Sequence, residues 1–271
     1  MRYIVDHDFH IHSQLSLCSA DPEQTPERIL VYAEENGLKT ICLTDHFWDE
    51  NVPLNQDSDF YKTQDYAYIT QGKPLPQSEY VKFLLGCETE LDKNFTLGLD
   101  FAHCDRFDFI IIPTTHMHSY NFALHPEDYD LDHRRAELWV ERLDAVLNMP
   151  LPFHKVGIAH LTCFLIGCAP EASEQRYLNI LNLIPSAEME RLFTKAAKLG
   201  VGIELNQDDL KQAKKHSEAV LRPYQIAKKC GCKFYFGSDS HHPATLDSAP
   251  AIFEWAVDAL GLEESDKFIL K

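Results

Sequence analysis

The chain has 271 residues, of which 45% are hydrophobic and 25% are charged, a composition typical of a globular protein with a substantial core. Its 25 basic and 42 acidic side chains give a net charge of −17, and no basic run is longer than a pair, which argues against a nucleic acid substrate. No apolar stretch approaches the roughly 18 residues that span a bilayer, and the N-terminus lacks a secretion-signal pattern, so we expect a cytoplasmic protein without membrane contact.

Short apolar runs alternate with amphipathic stretches along the sequence. The predicted strands are residues 3–9, 39–44, 83–87, 107–112, 156–159, 201–205 and 233–236. The predicted helices include one that begins at Thr25-Pro26 and ends at Gly37, and others at residues 131–147, 186–199, 216–230 and 246–260. Continuous apolar strands that alternate with helices indicate parallel strands covered on both sides.

Side chains that can bind a metal ion follow almost every predicted strand. They are His10, His12, Asp45, His46, Glu88, His116, His160, Glu204, Asp239 and His241. Imidazole and carboxylate groups bind Zn²⁺, Mn²⁺ or Fe²⁺, and a cluster of several ions needs about this many ligands, including a bridging carboxylate. His10 and His12 are two residues apart on a strand, so both face the same way, and Asp8 is expected to join them.

The distribution of these residues decides between two folds. An open, doubly wound sheet draws its site from two or three strands, whereas here seven successive strand ends contribute. We therefore predict an irregular, TIM-like (β/α)₇ barrel in a single domain over residues 1–271. An aromatic-rich insert at about residues 47–77 leaves the C-terminal end of a strand and should lie over the site.

The sequence resembles the polymerase and histidinol phosphatase (PHP) superfamily of metal-dependent phosphoesterases. The matching motifs are Asp8-Phe9-His10-Ile11-His12-Ser13, Leu43-Thr44-Asp45-His46, Gly86-Cys87-Glu88, the strand end at His116, Ala159-His160 and Gly237-Ser238-Asp239-Ser240-His241. The resemblance spans nearly the whole chain and implies a distorted (β/α)₇ barrel with two or three divalent transition-metal ions, zinc, manganese or iron.

The resemblance also implies how the ligands are shared among the ions. One ion would be bound by His10, His12, Glu88 and Asp239. A second would be bound by Glu88, His116 and His160, with Glu88 as the bridge. A third would be bound by His46 and His241, together with Cys18, which stands where family members often have histidine or aspartate.

Within the superfamily, the segment Glu204-Leu205-Asn206 resembles the histidinol-phosphatase branch. That branch typically continues with a leucine-arginine pair whose arginine binds the substrate phosphate, and this chain has Leu210-Lys211 there. Lysine is a point charge without the bidentate fork of arginine, so phosphate would bind with different geometry. Lys211, Arg134 and Arg135 are therefore the candidate substrate-binding residues.

The resemblance implies hydrolysis of a small phosphomonoester by a metal-activated hydroxide. The candidate catalytic residues are Glu88, Asp45 and His241, and either a third ion or Asp45 as an acid would stabilise the leaving alkoxide. Histidinol phosphate is one candidate substrate, which would place the protein in histidine biosynthesis. The sequence leaves the oligomeric state open.

Two alternative functions stay open. A metal-dependent amidohydrolase shares the barrel and the His-x-His motif, but usually adds a carboxylated lysine at a strand end, and no lysine is suitably placed. A regulatory module that binds metal without catalysis is the other alternative, which the nearly complete ligand set disfavours.

Overall fold

The computed structural model describes residues 1–19, 21–54, 59–168 and 173–270. Its strands are β1 (His7–Ile11), β2 (Thr40–Leu43), β3 (His46–Phe47), β4 (Lys82–Thr89), β5 (Phe109–Pro113), β6 (Val156–Ala159), β7 (Gly202–Asn206) and β8 (Lys233–Gly237). Its α-helices are α1 (Pro26–Glu35), α2 (Tyr66–Ile69), α3 (Asp132–Val146), α4 (Glu174–Leu183), α5 (Ser186–Leu199), α6 (Gln207–Ala213), α7 (Ser217–Lys229) and α8 (Pro243–Leu260). Strands and helices alternate along most of the chain.

The strands form one parallel sheet that closes into a barrel. Their order is β1-β2-β4-β5-β6-β7-β8, and the two ends of this series meet where the amide of Asp239 donates to the carbonyl of His10 and that of His12 donates to the carbonyl of Ser240. The short strand β3 continues β2, because Leu43 pairs with Leu85 and His46 pairs with Glu88, three residues further along both strands. The predicted distorted (β/α)₇ barrel in a single domain is confirmed.

The interior of the barrel is filled with apolar side chains toward the N-terminal ends of the strands. One buried cluster draws residues from six different strands, so it must lie inside the ring; its largest members are Phe9, Phe109, Tyr235 and Phe268. The rings of Phe109 and Tyr235 meet edge to face with centroids 5.1 Å apart. Because this end of the barrel is filled, the polar ligands occupy the other end, at the C-terminal ends of the strands.

The helices end and begin where local sequence signals place them. Thr25 caps α1 by accepting a hydrogen bond from the amide of Arg28, and Pro26 occupies the first turn. Gly200 ends α5 in the left-handed conformation, at φ +77°.

The structure differs from the predicted elements at the first strand and in several elements that were not predicted. The first strand is His7–Ile11 rather than residues 3–9, because the Tyr3 hydroxyl donates to the carbonyl of Phe234 and holds the preceding segment across the base of the barrel. Strand β3 and helices α2, α4 and α6 were not predicted. Helix α6 follows β7 without a loop because Asn206 ends the strand and caps the helix.

The aromatic insert that the sequence places at residues 47–77 contains the end of β3 and the short helix α2, and residues 55–58 lie outside the described part of the chain. Among the helices that the structure describes, none combines the length and the apolar character required of a membrane span.

Candidate metal centre

Eight side chains converge at the C-terminal mouth of the barrel, beside a cavity of about 740 Å³. They form three groups, and within each group the possible ligand atoms all lie within 4.8 Å of one another. The groups are His10, His12 and Asp239; Glu88, His116 and His160; and His12, His46 and His241. These residues or their hydrogen-bond partners lie on or directly after seven strands of the barrel, if β3 is counted with β2. The sequence predicts this arrangement, in which ligands follow seven successive strands.

The spacing of these atoms suits a metal ion. His10 Nε2 lies 3.1 Å from His12 Nε2, and Asp239 Oδ1 lies 3.4 Å from the former and 3.2 Å from the latter. Ligands bound to Zn²⁺ at 2.0–2.1 Å in a tetrahedron are about 3.3 Å apart, so these three atoms have the separation that a shared ion imposes.

Glu88 lies between the groups. Its Oε1 is 3.2 Å from His160 Nε2 and 3.6 Å from His10 Nε2, while its Oε2 is 3.4 Å from His12 Nε2 and 2.8 Å from His46 Nδ1. His46 Nδ1 and Glu88 Oε2 are buried and close to each other, but their orientation does not form a hydrogen bond, and within the described chain neither atom has another hydrogen-bond partner. Buried polar atoms are rarely left unpaired in native proteins, so these two atoms fit metal ligands better than structural groups.

Hydrogen bonds from neighbouring residues orient four of the histidines. His10 Nδ1 lies 2.7 Å from Glu204 Oε1, and His12 Nδ1 lies 2.8 Å from the Ser16 hydroxyl, which itself donates to Asp45. A hydrogen-bond acceptor beside Nδ1 favours the tautomer in which the imidazole proton is on Nδ1. The lone pair is then on Nε2, the nitrogen that faces the other ligands.

The second pair of histidines is oriented in the same way. His160 Nδ1 lies 3.0 Å from Thr115 Oγ1, whose own proton goes to the His160 carbonyl, and His116 Nδ1 lies 2.6 Å from Glu90 Oε2. Glu90 is buried and receives a further bond from Arg142, at 3.3 Å. Glu90 was not predicted as a site residue, although it lies two residues after Glu88, directly after the end of β4, and this period-two spacing is the signal that could have found it.

The charges of the site favour a cation. Burial opposes ionisation of Glu88, but His46 and His10 hold the pKa of that carboxyl well below its usual value, and the pKa of Asp239 is likewise lowered by His10 and His12 against the effect of burial. Burial lowers the pKa of His12, but Asp239 and Glu88 more than offset this and raise it to about 9. Without metal, the carboxylates are thus ionised and protons on the histidines supply the compensating positive charge.

Two ligands have unusual backbone conformations. His160 has φ +25° and Asp239 has φ +50°, values that residues with a side chain rarely adopt. Such conformations persist where surrounding contacts hold them, and they concentrate at functional sites. Here the amide of His160 donates to Glu204 Oε2 at 2.7 Å and that of Asp239 donates to the His10 carbonyl.

Three predicted ligand or catalytic residues have other roles in the structure. Asp8 does not join His10 and His12: its carboxylate accepts from the amides of His10 and Ser238 and from the Tyr32 hydroxyl. Glu204 belongs to none of the three groups and instead binds His10 Nδ1.

Asp45, the residue predicted to act as an acid, contacts the loop after β1 in the structure. Its two oxygens accept from the amide and the hydroxyl of Ser13 and from the hydroxyl of Ser16, and it does not line the cavity. These three hydrogen bonds attach the Asp45 carboxylate to the loop after β1 and fix that loop.

Cys18 lines the cavity, but among the described residues no group of three close ligand atoms includes its sulfur; the group that contains His46 and His241 is completed by His12. Burial, together with Glu88 and Asp239, raises the pKa of the Cys18 thiol and disfavours the thiolate that would bind metal. The geometry therefore does not support Cys18 as the ligand that completes a third site.

Of the three predicted substrate-binding residues, the structure brings only Lys211 to the cavity. Lys211 lies on α6, where its ammonium pairs with Asp208 at 2.8 Å. Arg134 pairs with Glu137 and Glu141 along α3. Arg135 is fully buried and donates to the carbonyls of Tyr129 and Ile166, so neither arginine is available to a substrate.

The remaining wall of the cavity is largely aromatic. Phe60 and Tyr61 come from the insert after β3, and Tyr120, Phe122 and Phe164 come from the loops after β5 and β6. Among the described lining residues, Lys211 is the one lysine or arginine, while Asp208 and Asp209 add carboxylates beside it.

A fourth group of possible ligands, Asp49, Glu50 and His103, lies away from this centre. His103 Nδ1 lies 2.8 Å from Asp49, and Arg106 contacts both His103 Nε2 and Glu50, so a cationic side chain already occupies the position of a metal ion.

A parallel barrel with histidine and carboxylate ligands at its C-terminal mouth defines a class of metal-dependent hydrolases. Residues 8–208 match the PHP domain, and the chain therefore belongs to the PHP-domain family, as the motifs in the sequence predict. No curated protein sequence matches the chain.

The solved structures that share the fold include two histidinol phosphatase structures. Histidinol phosphate phosphatase (HISK) from Lactococcus lactis subsp. lactis Il1403, complexed with Zn, L-histidinol and phosphate, is 17% identical, with a TM-score of 0.58 over 97% of this chain and 98% of that one. The hisK protein from Listeria monocytogenes is 12% identical, with a TM-score of 0.61 over 91% of this chain and 99% of that one. At these identities the likeness establishes the fold alone.

Proposed function

We propose that this protein is a metal-dependent phosphatase that hydrolyses a small phosphomonoester, with histidinol phosphate or a related phosphorylated metabolite as the substrate. The observation that carries the proposal is the placement of Glu88. Its Oε1 lies within 3.6 Å of nitrogens of His10 and His160, which belong to different groups, and its Oε2 lies within 3.4 Å of nitrogens of His12 and His46. A carboxylate in that position is suited to bridge two ions, and divalent ions bound in this way supply a Lewis acid and an activated water for phosphoester hydrolysis.

In this proposal, the residues of the site have three roles: holding the ions, binding the phosphate and excluding water. Glu88 and Asp239 contribute negative charge that holds the ions together, and the oriented imidazoles fix their positions. Lys211 binds the phosphate as a point charge, after leaving or sharing its contact with Asp208. The aromatic wall from Phe60 to Phe164 excludes water from the remainder of the substrate.

The assignment of ligands to ions also remains part of the proposal. His10, His12, Asp239 and Glu88 form one set, and Glu88, His116 and His160 form the other. His46 and His241 extend the first set through His12, where burial lowers the pKa of His241 to about 3 and keeps its imidazole neutral for coordination.

The amidohydrolase alternative finds no support at this site. Its carboxylated lysine would have to come from a strand end, whereas Lys211, the one lysine on the described cavity wall, lies on helix α6 in an ion pair. A regulatory module without catalysis would need no aligned imidazoles beside an open cavity of this size.

Hydrolysis of 4-nitrophenyl phosphate by purified protein, with Zn²⁺ or Mn²⁺ added after treatment with a chelator, tests the proposal. We expect activity that depends on added metal and that is lost in Glu88→Gln, while Glu137→Gln, a change at an exposed glutamate on α3, has no effect. A panel that includes histidinol phosphate and nucleoside monophosphates would then identify the substrate. Absence of any phosphatase activity in metal-loaded protein would contradict the proposal.

A further inference from the structure

His118 is a histidine on the cavity wall that belongs to none of the three ligand groups. Five described histidines line the cavity, and each of the other four belongs to a group; these are His46, His116, His160 and His241. Within the described chain, the His118 side chain forms no hydrogen bond or ion pair, and its ring meets that of His116 edge to face with centroids 5.2 Å apart. The cavity is therefore lined by one imidazole that neither joins the candidate ligands nor stabilises the fold through a hydrogen bond.

The two ring nitrogens of His118 differ in their surroundings. Nδ1 is buried without a hydrogen-bond partner in the described chain, so the ring can meet a molecule in the cavity only through Nε2. Four of the candidate ligands differ from His118 because an acceptor lies beside Nδ1; these are His10, His12, His116 and His160. A buried N–H that lacks an acceptor is rarer than a buried acceptor that lacks a donor, so we expect the proton of the His118 ring on Nε2.

This tautomer makes His118 a hydrogen-bond donor rather than a metal ligand. A nitrogen that carries a proton cannot bind a metal ion, so Nε2 presents an N–H to the cavity. Two other donors on the wall are already engaged: the Lys211 ammonium pairs with Asp208, and the Tyr120 hydroxyl donates to the carbonyl of Cys168. The N–H of His118 is available to an acceptor that enters the cavity.

The position of His118 indicates which acceptor it would meet. His116, whose ring His118 contacts, belongs to the ligand group of Glu88, His116 and His160. The proposed function places the phosphoryl group of the substrate against these candidate ligands, and a phosphoryl oxygen is a charged, strong acceptor. An oxygen of that group therefore lies on the same side of the cavity as His118.

We propose that His118 is a catalytic residue that donates a hydrogen bond from Nε2 to a non-bridging phosphoryl oxygen of the substrate. The assignment rests on the proposed function and adds to it a residue from outside the candidate ligand groups. A fixed donor at this oxygen stabilises the negative charge that the phosphoryl group carries in the transition state, and no proton is transferred.

Three variants separate the roles of the two nitrogens. His118→Phe keeps a ring but removes both nitrogens. His118→Gln can place an amide N–H near the position of Nε2, whereas the shorter amide of His118→Asn reaches only that of Nδ1. His133→Phe, a matched change at an exposed histidine on α3, is the control.

Each protein is loaded with Zn²⁺ before three measurements. These are the zinc content, the affinity for inorganic phosphate by calorimetry, and kcat/KM for 4-nitrophenyl phosphate and for phenyl phosphate. The two esters have the same phosphoryl group, and phenyl phosphate has the poorer leaving group.

His118→Phe and His118→Asn should lower kcat/KM by about 10-fold or more and raise the Kd of inorganic phosphate, as loss of a hydrogen bond to a charged group allows. The loss in kcat/KM should agree between the two esters within about two-fold, because the phosphoryl oxygen is common to both. His118→Gln should stay within about three-fold of wild type, and His133→Phe should match it. Zinc content should be the same in all the proteins.

Each contrary result has its own meaning. A lower zinc content in His118→Phe and His118→Asn would show that His118 is a ligand, and a larger loss for phenyl phosphate would place His118 at the leaving group; either result overturns the assignment. Unchanged kinetics and phosphate affinity would remove His118 from the site. If zinc-loaded wild type hydrolyses neither ester, the proposed function is wrong, and phosphate affinity then decides the assignment of His118 separately. His118→Asn against His118→Gln gives the same comparison if His118→Phe does not fold.

Discussion

Replacement of Glu204 by glutamine probes how the fold prepares a histidine for metal binding. Glu204 is fully buried, and its two oxygens serve different partners: Oε1 lies 2.7 Å from His10 Nδ1, while Oε2 accepts from the amide of His160 at 2.7 Å and from Asn206 Nδ2 at 3.4 Å. Glutamine has the same size but one acceptor oxygen. That oxygen cannot serve both sides.

In the Glu204→Gln variant, the side-chain oxygen should remain next to His160 and Asn206, because two hydrogen-bond donors lie there. The side-chain NH2 group of the glutamine would then face His10 Nδ1. His10 then either leaves a buried donor unpaired, which costs about 1–3 kcal/mol, or takes the tautomer with its proton on Nε2. Nε2 is the nitrogen that faces His12 and Asp239, and a protonated nitrogen cannot bind a metal ion. Loss of such an orienting partner typically lowers metal affinity by about 10–100-fold, or about 1.4–2.7 kcal/mol.

Competition with a chromophoric chelator for Zn²⁺ measures this effect directly, and thermal unfolding of the metal-free proteins checks that the barrel is intact. Glu137→Gln, which removes an exposed carboxylate from α3, is the matched control and should bind metal as wild type does. Equal Zn²⁺ affinities for wild type and a folded Glu204→Gln would refute the reasoning, because they would show that the tautomer of His10 does not depend on Glu204.

Three further predictions concern the same site. Gly237→Ala should lower metal occupancy or prevent folding, because a Cβ there would lie 1.9 Å from Glu204 Oε1; a variant with normal metal content would contradict this. Lys211→Ala should raise KM for a phosphomonoester about 10-fold while metal content stays constant, and Arg134→Ala should leave KM unchanged; steady-state kinetics that fail to separate the two variants would remove Lys211 from the site. Zn²⁺ affinity should rise with pH up to about 9, since the pKa of His12 is raised to about 9 in the metal-free protein and binding must displace that proton; a flat pH dependence between about 6 and 9 would argue against it.

The sequence predicts the barrel, and it brings the candidate ligands to one end of it, because both depend on the same simple rule. Each strand is a short apolar run, and a polar residue at its C-terminal end is brought to the common mouth whatever the packing of the helices. For this reason His116 and His160 could be assigned to one place from strands that are more than forty residues apart. Errors of a few residues in strand bounds, as in β1, do not move a ligand to the other end of the barrel.

The same rule cannot separate ligands from the residues that orient them. Glu88 and Glu204 both lie in the C-terminal half of an apolar strand, yet Glu88 faces four histidines and Glu204 faces the far side of one of them. Asp45 lies next to His46 in sequence, but its carboxylate points to Ser13 and Ser16. These distinctions depend on side-chain direction and on loops, which periodicity does not encode.

The substrate side of the cavity depends on a feature that the sequence alone could not interpret. The run Asn206-Gln207-Asp208-Asp209 is polar throughout, and in the structure Asn206 ends β7, caps α6 and donates to Asp239 Oδ2 at 3.3 Å. This one side chain therefore ties the helix that presents Asp209 and Lys211 to a candidate metal ligand. Because the helix and the candidate ligand share this contact, a change at Asn206 should shift Lys211 relative to the candidate ligands, and we expect it to disturb metal binding and substrate binding together.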